Sequence, residues 1–370
     1  MKRVPVIPGK VKHLQLMENM STRKTICLIA GLAALIGAAA CAGCVGWNMY
    51  YDRKVPNFAE KAELYVYPGD RAEDVLQYLA DSCGVRKPAS LRRSFRSLFG
   101  TDGTPVPGHY VITPAHSSMY VARMLARGWQ TPVRLVLSGT MRSKGAVARK
   151  VAAQLLLDSA AVAGALDDSV LLAGYGFRPD NVFGLIMPDT YEVFWTDPVS
   201  AVLDRQKAAY DAFWSESNRE KARALGLTPA EVSILASIVD GETNYEPEMP
   251  AVAGVYLNRL RRGMKLQADP TVAYCLDYKV TRILKKHLEI DSPFNTYLYE
   301  GLPPAPICVP TRSALEAVLN PDGHGYLYFC ASPDFSGTHR FAATYPEHLR
   351  NARAWQQALN ARQNANRQNG

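Results

Sequence analysis

The hydrophobic pattern opens with one long uncharged segment. Residues 25–47 contain no charged side chain and are rich in Ala, Leu, Ile and Gly. A helix of this length spans the hydrocarbon core of a bilayer, which is roughly 30 Å thick. Six Lys and Arg residues and one Glu precede it, so residues 1–24 carry +5 of the net charge of +8. The positive-inside rule then predicts a cytoplasmic basic arm (1–24), a transmembrane helix (25–47) and an exported remainder.

A cleaved signal peptide is the alternative for this segment. Ala38-Ala39-Ala40-Cys41 is similar to a lipoprotein cleavage site, but alanine stands at the third position before the cysteine, where leucine is usual. The apolar run is also long for the core of a signal peptide. We therefore favour an uncleaved, single-pass anchor. The expected location is the cell inner (cytoplasmic) membrane, with the remainder in the periplasm or outside.

Residues 60–138 alternate short apolar strands with helices. Strand patterns cover residues 62–67, 109–112 and 133–137, and a helix pattern follows each of the first two. This alternation predicts a compact α/β module. The strand-Gly-Asp-helix opening resembles a LysM-type carbohydrate-binding module, in which two helices pack on a small sheet. A generic α/β spacer is the alternative.

Helix patterns dominate the rest of the chain. The predicted helices cover residues 143–157, 198–224, 229–242 and 250–262. Residues 326–330 and 339–341 have the pattern of a strand pair. Thr344 and Glu347 form a capping box that begins a final helix.

The fold class follows from this order of elements. We predict an α+β protein with an N-terminal transmembrane helix, a small LysM-like α/β module and a mainly helical domain with a short sheet. The helical domain is expected to cover residues 139–361. Residues 362–370 are rich in Asn, Gln and Arg, which predicts a disordered tail.

One predicted helix places a carboxyl group on its apolar side. Thr228 and Glu231 form a capping box, with Pro229 at the first helical position. At about 100° per residue, Glu242 falls in the middle of the apolar stripe, whereas Asp240 falls on the opposite face and should point to water. Apolar neighbours and the C-terminal end of the helix dipole both disfavour a charged carboxylate, so they raise its pKa as a general acid requires. A helix-end glutamate bonded to backbone or to an arginine is the alternative.

Composition and charge limit the class of protein. Hydrophobic residues make up 48% of the chain and charged residues 21%, which is typical of a globular protein. Outside the basic arm the net charge is only about +3, and no basic run has interleaved aromatics, so nucleic-acid binding is not expected. The cysteines beyond the apolar segment fit neither the spacing of a zinc site nor that of a small disulfide framework. They are Cys83, Cys275, Cys308 and Cys330.

Four sequence blocks, in this order, carry a family resemblance. They are Met187-Pro188-Asp189-Thr190-Tyr191; Ala236-Ser237-Ile238-Val239 with Glu242-Thr243; Asn258-Arg259-Leu260 with residues 264–271; and Asn295-Thr296-Tyr297 with Gly301-Leu302-Pro303-Pro304. With the later strand pair, they resemble the endolytic murein transglycosylases of the MltG (YceG-like) type over about residues 64–353. Ala268 and Ala305 depart from the family's usual threonine and glycine.

The resemblance implies a catalytic domain over residues 139–361 with one catalytic carboxyl group, Glu242. This group would protonate the glycosidic oxygen between MurNAc and GlcNAc. Its carboxylate would then take the C6 hydroxyl proton, which leaves a 1,6-anhydroMurNAc end and limits glycan strand elongation. No metal or cofactor is implied. The expected partners are nascent peptidoglycan glycan strands, the inner membrane and peptidoglycan synthases.

Hydrogen-bond donors should line the groove that holds the sugar and its N-acetyl group. The candidate substrate-binding residues are Asn258, Gln267, Asn295, Thr296, Tyr297 and His339. Each of them could equally be a buried polar residue that stabilises a loop. Asp269 is expected to cap a short helix, and Arg259 is expected to form an ion pair.

Two other functions are open at this point. One is a non-catalytic peptidoglycan-binding scaffold of the cell-wall synthesis machinery. The other is an exported glycosidase that uses two carboxylates, with Glu246 or Glu248 as the partner of Glu242. The glycosidase would give reducing ends instead of anhydro ends.

Overall fold

The computed structural model describes the backbone of residues 9–368 and the side chains of residues 24–364. The chain divides into two compact units after Thr131. Helices dominate the described residues, and the strands form three two-stranded antiparallel sheets. The mainly helical architecture with small sheets agrees with the predicted class.

The apolar N-terminal segment lies in one continuous helix, α1 (Gly9–Lys54). Within the described chain, its part from Lys24 to Lys54 is the one helix that by itself is long and apolar enough to cross a membrane. Large apolar side chains such as Ile26 and Leu32 are exposed along it. The predicted span 25–47 is therefore helical, and the helix continues beyond both of its predicted ends.

The first unit continues with two strands and three helices. They are β1 (Ala62–Val66), α2 (Ala72–Ser82), α3 (Pro88–Phe99), β2 (Gly108–Ile112) and α4 (Ser118–Arg127). β1 and β2 pair with Leu64 opposite Tyr110, and both side chains are buried in the core of the unit. Helix α3 was not predicted from the sequence, because the arginines of this segment obscure the narrow apolar stripe of Leu91, Phe95 and Phe99.

The second unit is mainly helical. Its strands and helices are β3 (Val133–Val136), α5 (Lys144–Ala152), α6 (Ser159–Ala165), α7 (Ser169–Ala173), β4 (Thr190–Val193), α8 (Val199–Phe213), α9 (Glu216–Ala224), α10 (Pro229–Glu242), α11 (Met249–Arg261), α12 (Asp269–Cys275), α13 (Arg312–Leu319), β5 (Tyr328–Ala331), β6 (His339–Ala342) and α14 (Tyr345–Gln368). Short 3-10 helices occur at Val182–Gly184, Glu246–Glu248 and Lys285–Glu289. The predicted strand pair near the C-terminus is confirmed as β5 and β6, with Phe329 opposite Phe341.

Three features of these elements differ from the sequence expectation. The third predicted strand of the α/β module is β3, which pairs with β4 in the second unit. The long helix predicted over 198–224 is two helices, because Ser215 caps a new one by accepting a hydrogen bond from the Asn218 amide. The tail expected to be disordered is helical as far as Gln368, since the Thr344 capping box starts a helix that residues of adequate helix propensity continue.

Helix α10 lies at the centre of the second unit. Every residue from Val232 to Val239 is buried, so this helix has no solvent-facing side along most of its length. It packs against α11, α12 and α13 in one hydrophobic cluster. An apolar helix surrounded in this way is held by burial, and its last turn is fixed in position by the helices around it.

The predicted capping box at the start of α10 is confirmed. Thr228 Oγ1 accepts from the Glu231 amide at 3.2 Å, and Glu231 Oε2 accepts from the Thr228 amide at 2.7 Å. These bonds satisfy two of the donors that a helix start leaves unpaired.

Replacing the cap residue should destabilise the second unit without changing its core. For Thr228→Ala we expect a loss of about 1 kcal/mol in the free energy of unfolding, because the Glu231 amide loses its acceptor. Urea unfolding of the full chain measures the loss. Thr228→Ser keeps the hydroxyl and should remain within a few tenths of a kcal/mol of the wild type. Equal losses in both variants would contradict the cap assignment.

Candidate active site

Glu242 is the last residue of α10, and its carboxyl group meets a tyrosine from the neighbouring helix. The Tyr256 hydroxyl donates a hydrogen bond of 2.6 Å to Glu242 Oε1. Tyr256 lies on α11 and is 1% exposed, whereas Glu242 keeps partial contact with solvent. The carboxyl group is therefore held at the edge of the core.

The protonation of Glu242 follows from this position. Burial raises its pKa from the ordinary value to about 7. The Tyr256 hydrogen bond and the nearby Arg259 charge act in the opposite direction, and the Asp269 charge adds to the rise. The raised pKa expected from the sequence pattern is confirmed. A carboxyl group with this pKa can give and take a proton near neutral pH.

Arg259 is a buried cation close to this carboxyl group. Its Nε donates to the Leu327 carbonyl at 2.6 Å and its Nη1 donates to the Leu266 carbonyl at 2.7 Å. Its guanidinium also stands 5.3 Å from the centre of the Tyr328 ring. The expected ion pair is wrong: in the described residues Arg259 binds backbone carbonyls and forms no salt bridge. Its charge remains available to the Glu242 carboxylate.

Tyr297 and Asp269 form a second pair near Glu242. The Tyr297 hydroxyl donates a hydrogen bond of 2.6 Å to Asp269 Oδ1. Burial is the main cause that raises the pKa of Tyr297, so the hydroxyl keeps its proton and stays a donor. The expected cap role of Asp269 is wrong, because Asp269 is the first residue of α12 and makes no capping hydrogen bond there. Both Asp269 and Tyr297 interact electrostatically with Glu242.

Three other candidate residues hold loops in place. Asn295 is fully buried and donates to the carbonyls of Leu288 and Ile290. Thr296 Oγ1 accepts from the Ala268 amide at 3.0 Å. Asn258 donates to two carbonyls of the segment before β5, those of His324 and Tyr326. Their polar atoms are thus engaged with the backbone around the site.

Gln267 and His339 are more accessible than Asn295 and Thr296. Gln267 is exposed and has a positive φ of 53°, and its amide donates to the Thr296 carbonyl. His339 is partly buried, and its Nδ1 lies 2.7 Å from Glu248 Oε2. The other oxygen of Glu248 accepts from the His339 amide at 2.7 Å. Glu248 therefore anchors the start of β6.

Asp240 does not point to water as the helical pattern suggested. Its two oxygens accept from the Thr311 amide at 2.6 Å and from the Thr311 hydroxyl at 2.7 Å. Burial raises its pKa, although both of these bonds oppose the rise. The helical periodicity gave the wrong environment for Asp240 because α13 covers the face of α10 that a surface helix would leave to solvent.

The glycine between the two carboxylates has a packing role. A Cβ on Gly241 would lie 2.5 Å from Cβ of Pro270 and 2.8 Å from its Cγ. The missing side chain therefore allows the end of α10 to approach the start of α12. This approach brings Glu242 and Asp269 into the same region.

The role of Tyr256, the bonds of Glu248 to His339 and the carbonyl cluster around Arg259 were not predicted from the sequence. One signal was present for Tyr256: a tyrosine in an apolar helix needs a partner for its hydroxyl when it is buried. The described residues contain no group of three or more His, Cys, Asp or Glu side chains that could hold a metal ion. The described cysteines are free thiols, Cys275 and Cys308 included.

Comparison with known proteins places the chain in a family. A family model described as the YceG-like family matches residues 64–354. The endolytic murein transglycosylase of Bacillus subtilis is 34% identical over 170 residues, which are 45% of each protein. That of Streptococcus pneumoniae is 29% identical over 173 residues, which are 45% of this chain and 31% of the relative. The matched region thus spans less than half of either relative.

A solved structure agrees with the fold. A YceG-like protein from Listeria monocytogenes is 26% identical, with a TM-score of 0.51, and the match covers 79% of this chain and 99% of that one. The family match includes the helices and loops that hold Glu242, Tyr256, Arg259 and Tyr297. The chain therefore belongs to the YceG-like family.

Proposed function

We propose that this chain is a membrane-anchored endolytic lytic transglycosylase. Its substrate would be the MurNAc-GlcNAc bond of nascent peptidoglycan strands, and its product a 1,6-anhydroMurNAc end. The observation that carries the proposal is the single partly buried Glu242 carboxyl group with a pKa of about 7. The names of the Bacillus and Streptococcus relatives support the same reaction class.

The proposed reaction uses Glu242 twice. The protonated carboxyl group donates its proton to the glycosidic oxygen while the bond from C1 of MurNAc to that oxygen breaks. Positive charge then develops on the MurNAc ring, and the GlcNAc fragment leaves as an alcohol. The Glu242 carboxylate takes the proton of the C6 hydroxyl as O6 bonds to C1. The carboxyl group is then protonated again, so the cycle is closed.

The surroundings of Glu242 suit both halves of this cycle. Burial favours the protonated form before cleavage. The Tyr256 hydroxyl and the Arg259 charge favour the carboxylate that exists between the two proton transfers. Opposing influences of this kind keep the pKa near the working pH, which is where general acid–base catalysis is most efficient.

A glycosidase with two carboxylates would need a partner for Glu242. Glu248 is bonded to His339 through both oxygens. Glu246 is exposed, lines a cavity of about 150 Å³ with Asp240, and acts electrostatically on Asp240. The charge of Asp269 does act on Glu242, but the Asp269 carboxylate accepts a hydrogen bond from the Tyr297 hydroxyl. This arrangement favours the one-carboxylate mechanism, in which Tyr297 would help to orient the sugar.

The rest of the chain would place this chemistry at the cell envelope. Helix α1 would anchor the protein in the inner membrane, with the basic arm in the cytoplasm and the residues after α1 outside. In the first unit, α2 and α3 connect β1 to β2 along the chain, and the two strands pair. This order of elements supports a LysM-like, wall-binding module. Peptidoglycan synthases are the proposed protein partners.

Gln267 and His339 remain proposed sugar-binding residues, and Asn258, Asn295 and Thr296 would support the groove from behind.

Product analysis tests the reaction and the acid together. The full chain in detergent should release fragments with 1,6-anhydroMurNAc ends from purified murein, as measured by mass spectrometry. Glu242→Gln keeps the shape of the side chain but cannot donate a proton, so the rate should fall by at least about a thousandfold. Glu246→Gln serves as the matched control and should remain close to wild type.

The alternatives predict other product patterns. Reducing ends would indicate a hydrolase with two carboxylates. Equal cleavage by wild type and Glu242→Gln would refute the assignment of the acid. No cleavage by either protein, with murein binding retained, would favour the non-catalytic scaffold.

The raised pKa of Glu242 should appear in the pH dependence of stability. A folded-state pKa of about 7 lies above the ordinary value, so the folded state favours the protonated form. The contribution of protonated Glu242 to the free energy of unfolding is fully present below about pH 4.5 and is lost as the pH rises through about 7. Glu242→Gln has no such dependence. From pH 4 to pH 8 the variant should therefore gain about 3 kcal/mol relative to wild type in urea unfolding. A constant difference would contradict the raised pKa.

Tyr256 should control the pH range of activity. Its hydrogen bond lowers the pKa of Glu242, so Tyr256→Phe should move the alkaline limb of the kcat/KM profile to higher pH. At low pH, kcat/KM should fall by about tenfold at most, because Glu242 is still protonated there. Tyr245→Phe is the control, since Tyr245 is exposed. A profile reduced equally at every pH would indicate a purely structural role for Tyr256.

A further inference from the structure

The first unit contains a cavity in which three arginines converge. The cavity has a volume of about 300 Å³ and lies between α2 and α3. Arg92, Arg93 and Arg96 of α3 line it, and the apolar side chains of Leu76 and Phe95 also contribute. Arginines in one cavity repel each other unless anions stand between them, so their partners decide what the cavity can hold.

Only one of the three arginines has a carboxylate partner among the described residues. Arg93 donates to Asp52 through Nε at 3.0 Å and Nη2 at 2.6 Å. Arg92 and Arg96 are exposed, and no salt bridge pairs either of them. Glu73 also lines the cavity, so with Asp52 two negative charges stand against three positive charges. The cavity therefore keeps an excess of positive charge.

The start of α2 adds to this electrostatic preference. Ala72 and Glu73 are its first two residues, and both line the cavity. No side chain caps this helix, so the positive end of its dipole stands at the cavity. The Ala72 amide donates to the Gly103 carbonyl, and the Glu73 and Asp74 carboxylates of the first turn offset part of this positive end. The arginines are therefore the groups that make the cavity suitable for a compact oxyanion. A guanidinium binds the oxygens of a phosphate in a bidentate manner.

Two contacts connect this cavity to the end of α1. Asp52, which binds Arg93, is the first charged residue after Lys24. Lys87, at the start of α3, places its Nζ 4.0 Å from the centre of the Tyr51 ring. A residue advances a helix by about 1.5 Å, and the headgroup layer on each side of the hydrocarbon core is roughly 5–7 Å thick. If α1 spans the membrane, these contacts hold α3 at the level of the lipid headgroups.

We propose that the Arg92–Arg96 cavity binds the phosphate of an anionic phospholipid headgroup. Arg92 and Arg96 bind the phosphate oxygens, while Arg93 and Asp52 fix the cavity against α1. The first unit then has two attachments to the membrane, the helix α1 and the lipid-binding face of α3. This inference rests on the proposed membrane anchoring and is independent of the proposed cleavage reaction.

Lipid titration of the full chain in detergent micelles tests the proposal. Native mass spectrometry measures the apparent Kd for phosphatidylglycerol and for phosphatidylcholine. We expect the wild type to bind the anionic lipid about 25-fold more tightly. Arg92→Gln/Arg96→Gln should weaken binding of phosphatidylglycerol by about 25-fold and leave that of phosphatidylcholine unchanged, because each of the two arginines near a headgroup contributes about a fivefold factor.

A matched variant separates this site from general charge attraction. Lys61→Gln/Arg127→Gln removes two exposed cations of the same unit that do not line the cavity, and it should change the Kd by less than about twofold. An equal loss in both double variants, or equal binding of the two lipids by the wild type, would overturn the proposal. Thermal unfolding followed by circular dichroism shows whether each variant keeps its fold.

Two competitors identify other occupants. Displacement of phosphatidylglycerol by millimolar inorganic phosphate would indicate a site for a soluble anion, and displacement by soluble murein fragments would indicate a wall-polymer site; either result overturns the lipid assignment. Glu242→Gln should bind phosphatidylglycerol as wild type does. A wild-type chain that binds phosphatidylglycerol but does not cleave murein would count only against the proposed reaction.

Discussion

The proposed chemistry depends on one constraint: a carboxyl group is held at the end of a helix that is buried on all sides. Helix α10 has no solvent-facing side from Val232 to Val239, so neighbouring helices determine where its last residue stands. Because Gly241 has no side chain, Pro270 packs closely against the end of α10. The Tyr256 hydroxyl of α11 donates a hydrogen bond to the Glu242 carboxyl group. Desolvation then raises the pKa of Glu242 to about 7.

The charges around Glu242 limit how far burial raises its pKa. A carboxyl group in a purely apolar pocket would keep its proton too firmly to act later as a base. Here the Tyr256 hydroxyl and the Arg259 cation stabilise the carboxylate. Arg259 can act in this way because backbone carbonyls hold its guanidinium, which leaves no carboxylate to neutralise its charge. The same carbonyls thus hold Arg259 where its charge acts on the Glu242 carboxyl group.

Two carboxylates only two residues apart have different tasks. Asp240 binds the amide and hydroxyl of Thr311, so it joins the end of α10 to the start of α13. Glu242 follows it by little more than half a helical turn and therefore projects in a different direction. The Asp240 carboxylate thus fixes the helix end from which the proposed acid, Glu242, projects.

Much of the local structure was determined by the sequence alone. The capping boxes at Thr228 and Thr344, the apolar segment of α1 and the strand pair β5–β6 depend on residues close together in the chain, and they were predicted. The burial of the Glu242 carboxyl group at the end of α10, and its raised pKa, were predicted for the same reason. Tertiary structure decided its partner Tyr256, the Thr311 bonds of Asp240 and the carbonyl contacts of Arg259, because these join residues 14, 71 and 68 positions apart. Local patterns describe which face of a helix is apolar, but only packing shows which neighbour covers that face.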